Sequence, residues 1–285
     1  MKIFLTGGTG FIGSHFINKA HSQGFNLVCL RRPGSVTRVE LIDNPKWLNG
    51  SLEDDWVEEM RGCDIFVHLA SHSTNVPYDT LEKCLYWNLT VSLKLMEQAR
   101  EAGISKFIIS GTGFEYGRVG EKYDYIPINA NLEPTMAYPA SKAAAYIAFY
   151  QWAVEYKLQL NYLRIFQVFG EGESEGRLWP SLKKAALSGN DFDLTLGEQV
   201  RDFTHVDDIV SQFVEFFDFS SIKPGSPMVT HVSCGKPQTI REFSEFWWKQ
   251  WGATGKLNFG VYQYRKNEVM RFVPKVSGNL KKITT

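Results

Sequence analysis

A short apolar run, Lys2-Ile3-Phe4-Leu5, leads directly into Thr6-Gly7-Gly8-Thr9-Gly10-Phe11-Ile12-Gly13. Glycines 7, 10 and 13 read G-x-x-G-x-x-G, and apolar residues at helical spacing follow over 12–22. A strand, a glycine turn and a helix in that order restrict the fold severely. The tight turn needs a residue tolerant of positive φ, and a backbone that approaches a bound group, or packs a helix against a strand, must lack a Cβ there. The N–H groups that open a helix, here from Gly10 through Phe11, Ile12 and Gly13, have no partner inside it and suit a pyrophosphate.

Beyond the turn, short apolar runs alternate with amphipathic stretches, the pattern of βαβ units in a parallel sheet. Strands are predicted near 2–6, 26–30, 64–69, 106–110 and 161–165, and helices over 12–22, 79–102 and 139–156. The fold class is α/β: a Rossmann doubly wound parallel sheet over 1–165 that binds the dinucleotide, with a smaller lobe over 166–285 that mainly binds substrate. In that lobe strands are predicted near 192–196 and 228–233, and helices over 206–217 and 239–251. The absence of a Pro/Gly/Ser-rich linker argues that the lobes pack together around a cleft.

Thirty-one basic residues balance thirty-one acidic ones. That leaves no net field to draw in nucleic acid or an anionic membrane, and neither is expected as a partner. Cys29, Cys63, Cys84 and Cys234 stand singly, without the spacing of a zinc site or a disulfide scaffold. The six histidines lack ligand spacing, so no metal is expected. No apolar run approaches the roughly 20 residues of a membrane span, and the first residues read as a strand rather than a secretory signal. The expected location is the cytoplasm.

At the end of the second predicted strand, Leu27-Val28-Cys29-Leu30, an acidic side chain would accept the ribose hydroxyls of NAD. The chain runs instead into Arg31-Arg32-Pro33-Gly34-Ser35. Two guanidinium forks and the Ser35 hydroxyl suit a ribose 2′-phosphate, which favours NADP(H), with NAD(H) as the alternative. Further on, Tyr138-Pro139-Ala140-Ser141-Lys142 sets a lysine one helical turn after a tyrosine. A phenol with a pKa of about 10 is inert at neutral pH until a cation stabilises its phenolate. The Lys142 ammonium can do that and also bind ribose hydroxyls.

These segments resemble the extended short-chain dehydrogenases: nucleotide-sugar epimerases, dehydratases and 4-ketoreductases. Asp64-Ile65-Phe66-Val67-His68-Leu69-Ala70 is similar to that family's fourth-strand signature, and Asn88 matches its helix asparagine, which supports the active-site water and backbone. The resemblance implies that Leu69, Ala70 and Asn88 line the cofactor site, and that Tyr138 and Lys142 also touch the cofactor. Ser110-Gly111-Thr112-Gly113-Phe114-Glu115-Tyr116-Gly117 resembles the segment after the fifth strand. It puts Thr112 on the catalytic hydroxyl position, with Ser110 as the fallback, beside Tyr138 and Lys142. The acidic pair of sugar 4,6-dehydratases is replaced by Gly113 and Phe114, which argues against dehydration.

In the second half, Gln167 stands where an asparagine usually meets the sugar diphosphate. Arg201, within Gly197–Asp208, resembles the diphosphate clamp, and Arg265 the C-terminal phosphate-binding arginine. Asp207 and Asp208 read as helix caps, His68 as a packed strand residue, and Phe243, Phe246, Trp247, Trp248 and Trp251 as core or subunit contact. The resemblance implies reduction by NADPH of the C4 ketone of an NDP-4-keto-6-deoxyhexose, with Tyr138 as proton donor. An NAD-dependent 4-epimerase and, from another class, a non-enzymatic NADP-binding sensor are the alternatives. It also implies a homodimer through 79–102 and 139–156. Family members usually continue past Lys281-Lys282-Ile283-Thr284-Thr285 into a further helix, whose lack would leave the substrate lobe less covered.

Overall fold

A computed structural model describes residues 1–265 and 268–276. The closing segment 281–285 lies outside the described residues. The first half comprises β1 (Lys2–Thr6), α1 (Phe11–Ser22), β2 (Asn26–Arg31), β3 (Lys46–Asn49), the single turn α2 (Val57–Met60) and β4 (Ile65–His68). The stretch anticipated as one helix over 79–102 is α3 (Leu81–Leu85), a π-turn (Tyr86–Val91) and α4 (Ser92–Glu101). β5 (Lys106–Thr112), α5 (Ala137–Glu155) and β6 (Gln159–Ile165) follow. The second half holds β7 (Gln167–Phe169), α6 (Leu178–Leu187), β8 (Phe192–Leu194), β9 (Val200–His205), α7 (Val206–Glu215), β10 (Met228–Val232), β11 (Pro237–Thr239), α8 (Ile240–Gln250), β12 (Leu257–Phe259) and β13 (Arg271–Phe272).

Seven strands form one parallel sheet in the order β10-β6-β5-β4-β1-β2-β3, a Rossmann-like arrangement. Its central strands are apolar throughout because both faces are covered. Ile3, Leu5, Ile65 and Val67 point to one side, onto Phe16 and Ile17 of α1 and Val210 and Phe213 of α7. Phe4 and Phe66 point to the other, onto Leu95 and Met96 of α4 and Phe149 and Trp152 of α5. Strand order reverses at β1, between β2 and β4, and in such sheets the crevice outside the strand ends at the reversal is where ligands bind.

Two expectations need correction. The strand near 228–233, assigned from chain order to the second lobe, is β10, the edge strand of the large sheet beside β6. The helix anticipated over 206–217, α7, likewise packs on α1, so the chain leaves the first half at β7 and returns to it. β3, a short half-exposed strand, was not foreseen.

The smaller lobe is a sheet of β7, β9, β11 and β13 with a separate β8–β12 pair. Its core is aromatic: Phe203 and Phe243 stack with centroids 4.0 Å apart, and Phe169 and Trp179 close around them. Trp247 and Trp251 pack on Trp179 and Trp248 is buried, whereas Phe246 is 54% exposed. Among the described residues no helix is long and apolar enough to cross a membrane.

Candidate active site

Gly7 has φ +78°, and a Cβ on it would lie 2.5 Å from Ala70 N and Leu69 C. A Cβ on Gly13 would lie 2.1 Å from Gly7 O. Neither fits without moving backbone. Gly10 N donates to Gly7 O at 2.9 Å and opens α1 without a side-chain cap, and no acidic residue stands in the first helical turn. The N–H groups of Phe11 and Ile12 therefore face the crevice with the partial positive charge of the helix start. A pyrophosphate fits this cradle: backbone can come close, donors are free, and no carboxylate competes. Leu69 and Ala70, just past β4, form its wall.

At the tip of β2 the Arg31 guanidinium lies 4.7 Å over the Trp47 ring and its Nε donates to Asn49 Oδ1 at 2.9 Å. Arg32 is exposed, and Ser35 closes the turn by donating its hydroxyl to Arg32 O at 2.7 Å. None of residues 31–35 is acidic.

β5 delivers Thr112, and α5 delivers Tyr138 and Lys142, all buried. Lys142 Nζ donates to Ser110 O at 2.6 Å and reaches Ser71 Oγ at 3.5 Å. Burial lowers the ammonium to about 8, with Glu115 pulling the other way. Tyr138 is raised by burial, then by the charges of Glu115 and Tyr78, whose ring centroid is 5.5 Å away. Ser71, through a hydrogen bond, and the Arg177 guanidinium pull it back. Ser71, within 3.5 Å of Lys142 Nζ and acting on the Tyr138 phenol, has no counterpart among the residues the sequence marked. Asn88 sits in the π-turn, buried. Its Oδ1 accepts from His72 N at 2.7 Å, and its Nδ2 donates to His72 O at 3.2 Å and Ser141 Oγ at 2.9 Å. It ties the loop after β4 to α5, and π-turns recur at functional positions.

Thr112, Gly113, Phe114, Gln167, Arg201 and Phe272 line one narrow cleft. Arg201 Nη2 meets Glu268 Oε1 at 3.0 Å, and its Nη1 donates to Val200 O at 2.9 Å. Arg265 is exposed and close enough for its charge to act on Tyr78; Lys266 and Asn267 lie outside the described residues. His68 is a packed strand residue whose ring nitrogens meet Thr6 Oγ1 at 2.7 Å and Ser92 Oγ at 3.0 Å. The cap of α7 is His205, whose Nδ1 accepts from Asp207 N at 3.3 Å. Asp207 and Asp208 instead fill the first turn, where the helix dipole favours them.

Residues 3–226 match the family model described as the NAD dependent epimerase/dehydratase family. The chain belongs to that family. It is 27% identical to CDP-abequose synthase of Salmonella muenchen over 94% of this chain and 87% of that one. It is 27% identical to GDP-6-deoxy-D-mannose reductase of Pseudomonas aeruginosa over 86% of this chain and 78% of that one. The solved structure of a UDP-glucose 4-epimerase from Thermotoga maritima with UDP-glucose superposes with a TM-score of 0.82, at 25% identity, over 97% of this chain and 90% of that one.

Glu115 and Glu173 are buried acids that the sequence did not mark. Glu115 lies directly beneath Thr112, paired with Arg164 at 2.8 Å. Glu173, in the loop after β7, has a side chain only 5% exposed and meets Arg177 Nε at 3.3 Å. Its Oε2 has no partner among the described residues, and burial raises the carboxyl to about 7 against the pull of Arg177. Asn75 Nδ2 donates to Ser174 Oγ at 3.1 Å, holding this loop against the one that carries Tyr78.

Two outcomes are expected. Gly13→Ala must displace Gly7, so dinucleotide affinity measured by calorimetry falls at least about tenfold, since removing one well-made phosphate contact costs more than about 1.4 kcal/mol; unchanged affinity would refute the cradle. For Glu173 the folded-state value lies above the ordinary 4.5, so between about 4.5 and 7 the folded protein holds more protons than the unfolded one and stability falls as pH rises. Urea unfolding at pH 4.5 and pH 8 should give a wild-type stability that drops by about 3 kcal/mol more than that of Glu173→Gln. Equal drops would place Glu173 in a solvated setting.

Proposed function

We propose that this chain reduces the C4 ketone of an NDP-4-keto-6-deoxyhexose with NADPH. The observation that carries the reading is the end of β2, where Arg31 is followed by the exposed Arg32 and by Ser35 and no residue from 31 to 35 is acidic. A guanidinium there suits a 2′-phosphate, and NADP(H) is the cofactor of net reductions more than of cycles that regenerate a held NAD. The likeness to a protein named GDP-6-deoxy-D-mannose reductase and to one named CDP-abequose synthase supports the same substrate class. Gly113 and Phe114, the two residues after Thr112, offer no acid or base for removing water from the sugar.

When bound, the nicotinamide supplies the hydride. The chain's own residues handle the oxygen. Tyr138 O–H gives its proton to the C4 oxygen while Thr112 Oγ donates a hydrogen bond to the same atom. Lys142, still largely charged at neutral pH, stabilises the phenolate left behind through Ser71, and burial keeps bulk water from all three groups. Phe114, Phe166 and Phe272 stack in a wall with centroid spacings of 5.8 and 5.5 Å, a surface suited to the methyl of a 6-deoxy sugar. Gln167 and Arg201, which line the same cleft as Thr112, and the exposed Arg265 are the groups this reading assigns to the sugar diphosphate. A homodimer through α3, α4 and α5 is part of the same proposal.

A second reading, an NAD-dependent 4-epimerase, is favoured by the likeness to the Thermotoga enzyme and would use the same Thr112, Tyr138 and Lys142. The two readings part at β2. In steady-state assays with both cofactors, the wild type should prefer NADPH, and Arg31→Asp should reverse that preference; a wild-type preference for NADH would favour the epimerase. Tyr138→Phe should lower kcat by about 10²- to 10⁴-fold, the usual worth of a positioned proton donor. Retained turnover would sink both readings.

A further inference from the structure

The mechanism above leaves unused the most deeply buried charge near the site. Glu115 is fully buried, and each of its recorded contacts comes from a donor. Oε1 accepts Thr112 N–H at 2.8 Å and Tyr162 O–H at 2.8 Å, and Oε2 accepts Arg164 Nε at 2.8 Å. Burial raises this carboxyl above its ordinary value, and the Arg164 charge, the Thr112 N–H and the hydrogen bonds from Arg164 and Tyr162 draw it back; the ion pair with Arg164 favours the charged form. The Arg164 guanidinium is itself held between the rings of Tyr116 and Tyr146, at 4.7 and 4.4 Å, and donates to Tyr116 OH at 2.8 Å. Tyr116 OH in turn meets His231 Nε2 at 2.6 Å.

Tyr162 extends the network to the other half of the site. Its single hydroxyl proton goes to Glu115 at 2.8 Å, with Lys142 O as the weaker arm of a bifurcated bond at 3.2 Å, so the carboxylate ties the backbone of Thr112 to β6 and, through that shared proton, to α5. We propose that Glu115 is a positioning residue: through Thr112 N–H and the Tyr162 hydroxyl it holds the end of β5 in register with Tyr138 and Lys142, and its charge keeps both of those groups protonated. The first part fixes where the Thr112 hydroxyl sits relative to the phenol. The second follows from Coulomb's law in a dry interior, where a fixed negative charge favours an ammonium over an amine and a phenol over a phenolate. Arg164 faces Glu115 from β6 with opposite sign, as does Lys142 from α5. Tyr162, Tyr116, Tyr146 and, through Tyr116, His231 complete the titratable surroundings and are neutral at working pH, His231 being lowered to about 4 by burial.

This inference rests on Tyr138 and Lys142 being the proton-handling pair, and its test separates the two ideas. The pH dependence of kcat is measured for wild type, Glu115→Gln and Tyr162→Phe with whichever nucleotide sugar the wild type turns over, so a wrong substrate assignment is exposed in the wild type alone. The limb assigned to the site is the one that Tyr138→Phe abolishes. Glu115→Gln should move that limb to lower pH by on the order of one unit, because tyrosine and lysine shift in the same direction. Tyr162→Phe keeps the charge and cuts the link, so it should lower kcat several-fold with KM for the sugar unchanged and the limb in place. A uniform rate loss in Glu115→Gln with an unmoved limb would overturn the electrostatic role. Wild-type kcat in Tyr162→Phe would overturn the positioning role, and that variant decides the matter if Glu115→Gln does not fold.

Discussion

The structure turns on a contact that leaves no room for side chains. Where β1 ends, Gly7 lies against the backbone at Leu69 and Ala70, and Gly13 lies against Gly7. This brings the start of α1 over the crevice and fixes the path of the chain leaving β4. The consequences run along four residues. Leu69 and Ala70 wall the cradle, Ser71 meets Lys142 and Tyr138, and His72 is gripped through both backbone groups by Asn88. The glycine turn at 7–13 and the helix that carries Tyr138 and Lys142 are thereby coupled through one short segment rather than through the distant core.

Behind this segment the site is buried, and its charge states follow. His68 is lowered to about 3 by burial and then by the Lys142 charge, so it remains a neutral bridge between the hydroxyls of Thr6 and Ser92. A second cation there would oppose Lys142. The lysine, at about 8, keeps its proton near neutrality despite burial because Glu115 lies below. The phenol of Tyr138 is correspondingly reluctant to ionise in the free chain, as the proposed role of proton donor to a carbonyl oxygen requires.

Much of this was legible in the chain because glycine spacing and strand–helix rhythm are local signals. The turn at 7–13, the long helix carrying Tyr138 and Lys142, and the absence of acid after Thr112 all sit within short windows. β3 was missed because Lys46-Trp47-Leu48-Asn49 is brief and half-polar, as an edge strand can be. β10 was misplaced because its neighbour in the sheet is set by a crossover that chain order does not encode. Glu115 carried a readable signal, since Thr112-Gly113-Phe114-Glu115 has the spacing of a capping box, and the structure forms one. Glu173 and Arg177 stand four apart, the spacing of an ion pair on a helix, yet their loop is not helical and the burial that matters comes from elsewhere. Ser71 offered nothing, because its role depends entirely on the segment next to it.

The account makes a net hydride transfer to C4 its central claim, and isotope transfer tests it most directly. NADPH bearing deuterium at the transferable C4 position is incubated with the chain and, in parallel reactions, with a panel of NDP-4-keto-6-deoxyhexoses and a panel of NDP-hexoses, and the sugar product is mapped by NMR. One deuterium at sugar C4 for each NADPH oxidised is the result the account predicts. Sugar epimers interconverting with no deuterium gained from added NADPH would contradict it.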